Sequence, residues 1–244
     1  MSEGLSGLIF GTMRLGEVDR SIGEWVEYFH ALHRLGIRAL HSSAEYDTFD
    51  LVREIVSTLD REHGLTFDHL VKLAEPSFDD SDLSPARLRE KVARYSGALP
   101  HGRLFVQWMW RHGLDDDAAR IEAFRNASGG LAGALDELRR EGEIAGCYCF
   151  PYTPAFADAA LGSGLFDGLA VYCNELERDY RAAIAKAAET GSETVVIRPL
   201  AGGRTVTQST ASPRDQVRSI LAMPGVSAAV LSSNSLAHVE NLLS

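Results

Sequence analysis

Short apolar segments with strand character alternate with helical segments eight times along this chain, and this alternation restricts its fold more than any other feature. The first unit shows the pattern: an apolar run precedes a stretch in which Trp25, Phe29 and Leu32 recur at helical spacing. Gly36 then ends the predicted helix. The predicted strands are residues 7–14, 37–42, 70–73, 104–109, 144–150, 168–172, 194–198 and 227–231.

The segments between these strands carry the start and stop signals of helices. Ser84 and Pro85 give an N-cap followed by proline in the first turn, and Gly64 and Gly142 follow helical runs. Alternating strands and helices predict a parallel sheet, and eight units in 244 residues favour closure into one (β/α)8 TIM barrel domain over residues 1–244. The predicted helices are residues 21–35, 48–63, 131–141, 153–161, 177–190, 213–222 and 236–243, with one more opening at Ser84.

The charge balance restricts the partners. A net charge of -10 disfavours nucleic acid and anionic membrane surfaces, because binding to phosphates needs clustered Lys and Arg. No apolar run approaches the roughly 20 residues that span a bilayer, and the N-terminus lacks the basic and apolar regions of a signal peptide. We therefore expect a cytoplasmic protein that acts on a small molecule.

No metal site is expected. The acidic run at 115–117 has no nearby His or spaced Glu, which is typical of a solvated helix N-terminus. Cys147 and Cys149 would share one face of a strand, where they could react or bind metal. Buried small hydrophobes are the favoured interpretation, because free cysteine is among the most buried residue types.

Five stretches carry a resemblance to a known family. They are GTMRLG at 11–16, GIRALHSSAEY at 36–46, LRREGEIAG at 138–146, RPLAGG at 198–203 and PGVSAAVLSSNSLAHVENLL at 224–243. In this order and spacing they resemble the aldo-keto reductases over nearly the whole chain. The resemblance implies a (β/α)8 barrel, here with a reduced N-terminal hairpin and C-terminal tail. It also implies NAD(P)H-dependent reduction of a carbonyl compound.

The family's catalytic Asp, Tyr, Lys and His are only half matched. Tyr46 and Lys72 stand where the resemblance places the tyrosine, which donates a proton to the carbonyl oxygen, and the lysine, which lowers the tyrosine pKa. His41 stands in place of the Asp and Met109 in place of the His. His41 is either a base near neutral pH or a core histidine, while Met109 makes the pocket more apolar.

Aromatic residues around Met109 suggest an apolar or aromatic ligand. Trp108, Met109, Trp110 and Phe150 are candidate pocket-lining residues, although filling of the barrel is the favoured interpretation for Trp108, Met109 and Trp110.

The cofactor positions are altered too. By the resemblance, Phe150, Pro151 and Ala170 replace the side chains that hold the nicotinamide amide, and none of them makes those hydrogen bonds. The residues that the resemblance places near the phosphates and the adenine of the cofactor are better matched. No Lys or Arg lies at 232–238 to bind a 2′-phosphate, so binding of NADPH is disfavoured more than binding of NADH. Either no cofactor or a weakly held NAD(P)H is expected. Candidate contacts are Arg198, Leu200, Gly202, Ser232, Ser233 and Asn241.

Three functions are compatible with these residues. The favoured one is an enzyme that performs non-redox acid-base chemistry on a small carbonyl metabolite (elimination, isomerisation or cyclisation) through Tyr46, Lys72 and His41. The first alternative is an NAD(P)H-dependent carbonyl reductase that tolerates the altered tetrad. The second is a catalytically silent binding barrel.

Overall fold

The strands of the computed structural model close into a barrel of eight parallel strands. The model describes residues 4–74, 80–99 and 102–243. Each strand is hydrogen-bonded to the next, and the last pairs with the first, which confirms the predicted (β/α)8 topology. The strands are β1 (Gly7–Gly11), β2 (Ala39–Ser42), β3 (Asp68–Leu73), β4 (Leu104–Met109), β5 (Gly146–Phe150), β6 (Gly168–Tyr172), β7 (Glu193–Ile197) and β8 (Val226–Leu231).

Helices follow the strands and surround the barrel. Ser84 caps its helix as the sequence predicts, because it accepts a hydrogen bond from the backbone three residues on and a proline follows it; Ser212 caps a later helix in the same way. The helices are α1 (Ile22–Arg34), α2 (Phe49–His63), α3 (Pro85–Ser96), α4 (Asp117–Arg140), α5 (Pro154–Ser163), α6 (Arg181–Glu189), α7 (Arg204–Gln208), α8 (Pro213–Leu221) and α9 (Leu236–Leu243).

Two predicted helix starts are wrong. The helix expected from residue 131 begins at Asp117, where the Asp116 side chain caps the Ala119 amide at 3.0 Å. The acidic run is therefore a helix N-terminus, as expected. The helix expected from 177 begins at Arg181, because Asn174 accepts hydrogen bonds from the backbone of Leu176 and Glu177 and holds that segment in a turn.

The core has two layers. Alternate strand residues, among them Leu70, Phe105 and Phe150, fill the interior of the barrel as one buried cluster. The residues between them pack against the helices in a larger cluster, which includes Cys147 and Cys149. Burial raises the pKa of both thiols, so these cysteines are buried hydrophobic residues, as favoured from the sequence. Within the described ranges, no helix combines the length and apolarity needed to cross a membrane.

Candidate active site

Backbone strain marks the end of the barrel where the strands finish. Within the described residues, the non-glycine residues with positive φ are Tyr152, Arg198 and Ala201, at 63°, 58° and 50°. All three follow β5 or β7 at the C-terminal mouth. Such conformations cost about 1–3 kcal/mol each and cluster at functional sites. The mouth is also where barrel enzymes keep their active sites, so we place the candidate site here.

Tyr46 and Lys72 come together at this mouth. Lys72 lies near the end of β3, and Tyr46 lies in the loop after β2. The Lys72 ammonium is 5.0 Å from the centre of the Tyr46 ring and lies over its face. The Tyr95 hydroxyl joins the two segments, because it donates to the Lys72 carbonyl at 2.6 Å and accepts from the Ala44 amide at 3.0 Å.

The electrostatics of the pair differ from what the resemblance implies. Burial lowers the pKa of Lys72, and the carboxylate of Glu45 opposes part of that shift. Burial also raises the pKa of Tyr46 well above its usual value, and the neighbouring Tyr172 adds to the rise. Tyr46 is therefore a phenol that holds its proton, and Lys72 is an amine that loses its proton more easily than an exposed lysine.

His41 lies on β2, buried beside Lys72. Its Nε2 donates to the Gln107 amide oxygen at 2.9 Å. Burial lowers the pKa of His41 to about 3, Lys72 shifts it in the same direction, and the bond to Gln107 opposes the shift. The imidazole is neutral at physiological pH. The structure thus supports a core histidine, and the expectation that His41 takes up a proton near neutral pH is wrong.

Met109 contacts the same glutamine, Gln107, that bonds to His41. The Gln107 amide nitrogen donates to the Met109 sulfur at 3.4 Å, and Met109 packs against the interior cluster of the barrel. The position that the resemblance assigns to a histidine therefore presents a thioether, which neither donates strongly nor carries charge.

An aromatic group forms the opposite wall of the mouth. The Phe150 ring makes edge contacts with Tyr152 at 4.8 Å and with Tyr172 at 5.2 Å between ring centres. The Arg198 guanidinium lies 5.0 Å from the centre of the Tyr172 ring. Phe150 is thus a buried member of the interior cluster beside these rings, and its contact with a ligand stays a prediction. Glu45 and Tyr172 were not predicted from the sequence, although Tyr172 ends a predicted strand on the same face as the interior residue Ala170.

Trp108 and Trp110 do not line the pocket, and this prediction is wrong. Trp108 is 6% exposed and packs against Phe124, Phe156 and Phe166 in the layer between the barrel and the helices. Trp110 is 4% exposed and contacts the same Phe156 ring. The physical reason is strand alternation: Gln107 and Met109 face the interior, so the residue between them faces outward.

The mouth does not fit a nicotinamide held as the resemblance implies. Phe150, Pro151 and Ala170 offer no side-chain hydrogen bond. Asn174, the nearest amide along the chain after β6, uses all its capacity within the protein. Its nitrogen donates to Glu177 at 2.6 Å and to the Arg198 carbonyl at 2.9 Å, and its oxygen accepts two backbone amides. No step of the chemistry proposed below passes through a nicotinamide.

Two of the residues predicted to contact the phosphates and adenine of a dinucleotide make polar contacts within the protein. The Arg198 guanidinium is 3.8 Å from the Glu177 carboxylate, and Ser233 Oγ donates to the Ser235 carbonyl at 3.1 Å. Their role toward a cofactor stays a prediction. Arg198, Leu200 and Gly202 follow β7, Ser232 and Ser233 follow β8, and Asn241 lies on α9.

No metal centre accompanies these groups. In the part of the chain that the structure describes, no three His, Cys, Asp or Glu side chains come together as a metal site. The ionisable groups that the structure places beside one another at the mouth are the Tyr46 phenol, the Lys72 amine and the Glu45 carboxylate.

The fold is a (β/α)8 barrel, and at its mouth Tyr46 and Lys72 stand at the positions that the resemblance assigns to a tyrosine and a lysine. Neither a protein-family model nor a curated protein sequence matches the chain. Solved structures do match it, over almost its entire length and at low identity, and all those compared below are aldo-keto reductases.

A Pseudomonas aeruginosa protein classed with the aldo-keto reductases is 23% identical, with a TM-score of 0.76 over 99% of this chain and 89% of its own. An aldo-keto reductase from Bacillus halodurans is 17% identical, with a TM-score of 0.74 over 98% and 86%. One from Klebsiella pneumoniae, solved with NADP and acetate, is 14% identical, with a TM-score of 0.72 over 97% and 84%. The aldo-keto reductase fold predicted from the sequence is thus confirmed.

Proposed function

We propose that this protein is an enzyme that carries out non-redox acid-base chemistry on a small carbonyl compound, by elimination, isomerisation or cyclisation. The observation that carries the proposal is the Tyr46 and Lys72 pair, at 5.0 Å, beside a pocket whose amide-binding positions are apolar. Acid-base catalysis needs the pair of Tyr46 and Lys72. Hydride transfer from a nicotinamide needs side chains that bind its amide group, and the apolar positions do not supply them.

The roles follow from the protonation states. Tyr46 remains a phenol, so it donates a hydrogen bond, and then a proton, to the carbonyl oxygen as negative charge develops there. Lys72 is the base, because burial increases the fraction of its amine that is neutral. The nearby Glu45 carboxylate stabilises the ammonium ion that forms when the amine takes up the proton. Proton removal next to a carbonyl group, coupled to donation at its oxygen, is the common first step of the three reactions.

Carbonyl reduction with NAD(P)H is the second candidate. It is supported by the fold, which is shared with a Klebsiella pneumoniae reductase solved with NADPH. It is also supported by the glycine-rich loop at 198–203, which can approach a pyrophosphate.

The two candidates separate in one set of measurements. We expect the protein in D2O to exchange the protons beside the carbonyl group of small ketones and aldehydes, followed by NMR, with no cofactor added. Tyr46→Phe should slow the exchange by about 100-fold or more, since a positioned acid contributes about 10²–10⁴. Tyr148→Phe is the matched control, because that hydroxyl bonds to Glu193 and the Leu5 amide, outside the mouth.

Titration of NADH and NADPH, followed by tryptophan fluorescence, completes the test. Weak or absent binding is expected. Micromolar binding with carbonyl-dependent oxidation of the cofactor would instead establish the reductase and overturn the proposal.

A further inference from the structure

Lysine is rare in this chain, and one of its few lysines lies in the mouth of the barrel. Of the 24 cationic Lys and Arg residues, three are lysines: Lys72, Lys91 and Lys186. Arginine serves nearly everywhere that a positive charge is needed. Because the chain uses arginine nearly everywhere else, a lysine at this site points to a property that arginine lacks. That property is an amine that can lose its proton and react.

The three lysines have different surroundings. Lys91 is buried in an ion pair with Asp80 at 2.6 Å, and Lys186 pairs on the surface with Asp158 at 2.9 Å. Among residues 4–74, 80–99 and 102–243, no hydrogen bond or ion pair holds the Lys72 ammonium, whose neighbour is the face of the Tyr46 ring. Its side chain is half-buried, so it reaches the solvent of the mouth.

The carboxylate of Glu45 favours the ammonium form of this amine, whereas other neighbouring side chains are apolar, aromatic or neutral. Met109, Phe150 and Tyr172 belong to or pack against the interior cluster, and buried His41 is a neutral imidazole. Such surroundings favour the neutral amine over the ammonium ion. Tyr46 places a protonated phenol beside it, and the Tyr95 hydroxyl fixes the backbone of both segments.

We infer that Lys72 is a nucleophile that forms a Schiff base with the carbonyl carbon of the substrate. This inference rests on the proposed function and changes the role of Lys72 in it from base to nucleophile, so that the proton on the carbon beside the imine passes to solvent water. The nitrogen lone pair forms the bond to carbon, and the carbonyl π electrons move to oxygen, which takes a proton relayed by Tyr46. Both amine protons and the carbonyl oxygen leave as one water, so the product is a neutral imine and nothing is oxidised or reduced.

A Schiff base serves the proposed chemistry. Once protonated, the imine withdraws electrons from the neighbouring carbon more strongly than the carbonyl group does, so that carbon loses its proton more readily. The substrate class is thereby narrowed to aldehydes and ketones, because carboxylic acids and amides do not form imines with an amine under these conditions.

Reductive trapping tests the inference. The full-length protein is incubated with benzaldehyde or pyruvate and sodium cyanoborohydride, then digested, and each lysine-containing peptide is weighed by mass spectrometry. We expect Lys72 to gain the mass of the probe less one oxygen. The labelled fraction should exceed that of Lys186, because burial lowers the pKa of the Lys72 amine and so increases its neutral fraction. Labelling of Lys72 equal to or below that of Lys186 would overturn the Schiff base.

Two variants separate the failure of this inference from the failure of the proposed function. Lys72→Arg keeps the positive charge but forms no imine, whereas Lys186→Arg is the matched control and should leave the labelling of Lys72 unchanged. If Lys72 stays unlabelled while the wild-type protein exchanges protons and both Tyr46→Phe and Lys72→Arg lose that exchange, the Schiff base is refuted and the acid-base function stands. If Lys72 is labelled but the wild-type protein exchanges no carbonyl compound, the acid-base function fails and the reactive amine remains.

Discussion

His41 determines the charge next to Lys72. The resemblance places a carboxylate at this position, which would keep the lysine protonated. His41 is instead buried, bonded to Gln107 at 2.9 Å, and neutral, with its pKa lowered to about 3 by burial. Because a neutral imidazole brings no negative charge to hold the ammonium form, histidine at this position favours the neutral amine that the proposed chemistry requires.

Restoring the carboxylate should reverse this effect. In His41→Asp we expect the pKa of Lys72 to rise, so the pH midpoint of its labelling by benzaldehyde and cyanoborohydride should move up by about one unit or more. His41→Asn, which is similar in size and uncharged, should leave the midpoint near the wild-type value. Equal midpoints in the two variants, with both folded by circular dichroism, would contradict the electrostatic role assigned to His41.

The sequence predicts some of the mouth residues and misses others for identifiable reasons. Tyr46 and Lys72 could be located because the motif around 36–46 and a short apolar strand fix their places. Trp108 was misplaced, although strict alternation from Gln107 and Met109 would have turned it outward. The proximity of Glu45 to Lys72 depends on the course of a loop, which no periodicity encodes.

At the scale of elements, α4 shows what hides a helix from its sequence. The helix runs from Asp117 to Arg140, yet the sequence predicts only the part from residue 131 onwards. Asn126, Ser128 and the pair Gly129 and Gly130 have low helix propensity and resemble a loop. Packing overrides propensity here, because Phe124 is fully buried against aromatic rings of the barrel layer and α5.

The pairing of β6 with β7 depends on the absence of one side chain. A Cβ added to Gly168, the first residue of β6, would lie 1.8 Å from the carbonyl oxygen of Glu193. This neighbour is backbone and cannot turn aside, so we expect Gly168→Ala to lower the free energy of unfolding by about 2 kcal/mol or more. Urea denaturation measures the change.

The control for this prediction is Gly133→Ala in the exposed middle of α4. A Cβ there meets nothing within 4 Å, so alanine should stabilise the helix by up to about 1 kcal/mol. A Gly168→Ala protein as stable as the wild type would show that β7 can shift away, and that the two strands are not held this closely.

At the scale of the whole molecule, two buried histidines make the barrel sensitive to acid. His41 bonds to Gln107, whereas neither ring nitrogen of His69 on β3 has a hydrogen-bond partner among the residues that the structure describes. His69 lines a cavity of about 470 Å³ beside the residues that precede β4 and β5, at the end of the barrel away from the mouth. Burial lowers the pKa of His69 to about 4, with Asp68 opposing the shift.

Both histidines therefore bind protons more readily in the unfolded chain, where their pKa is near 6.5, than in the folded one. The contribution of the two neutral histidines to the free energy of unfolding is complete above pH 6.5. It falls as the pH drops towards 4, by about 1.4 kcal/mol per pH unit for each histidine. Between pH 7 and pH 5 the two histidines together lower the free energy of unfolding by about 4 kcal/mol. Urea denaturation at the two pH values should show this loss. His41→Asn and His69→Asn should each remove about half of it, and a loss that neither variant changes would mean that carboxylates, not these histidines, control acid unfolding.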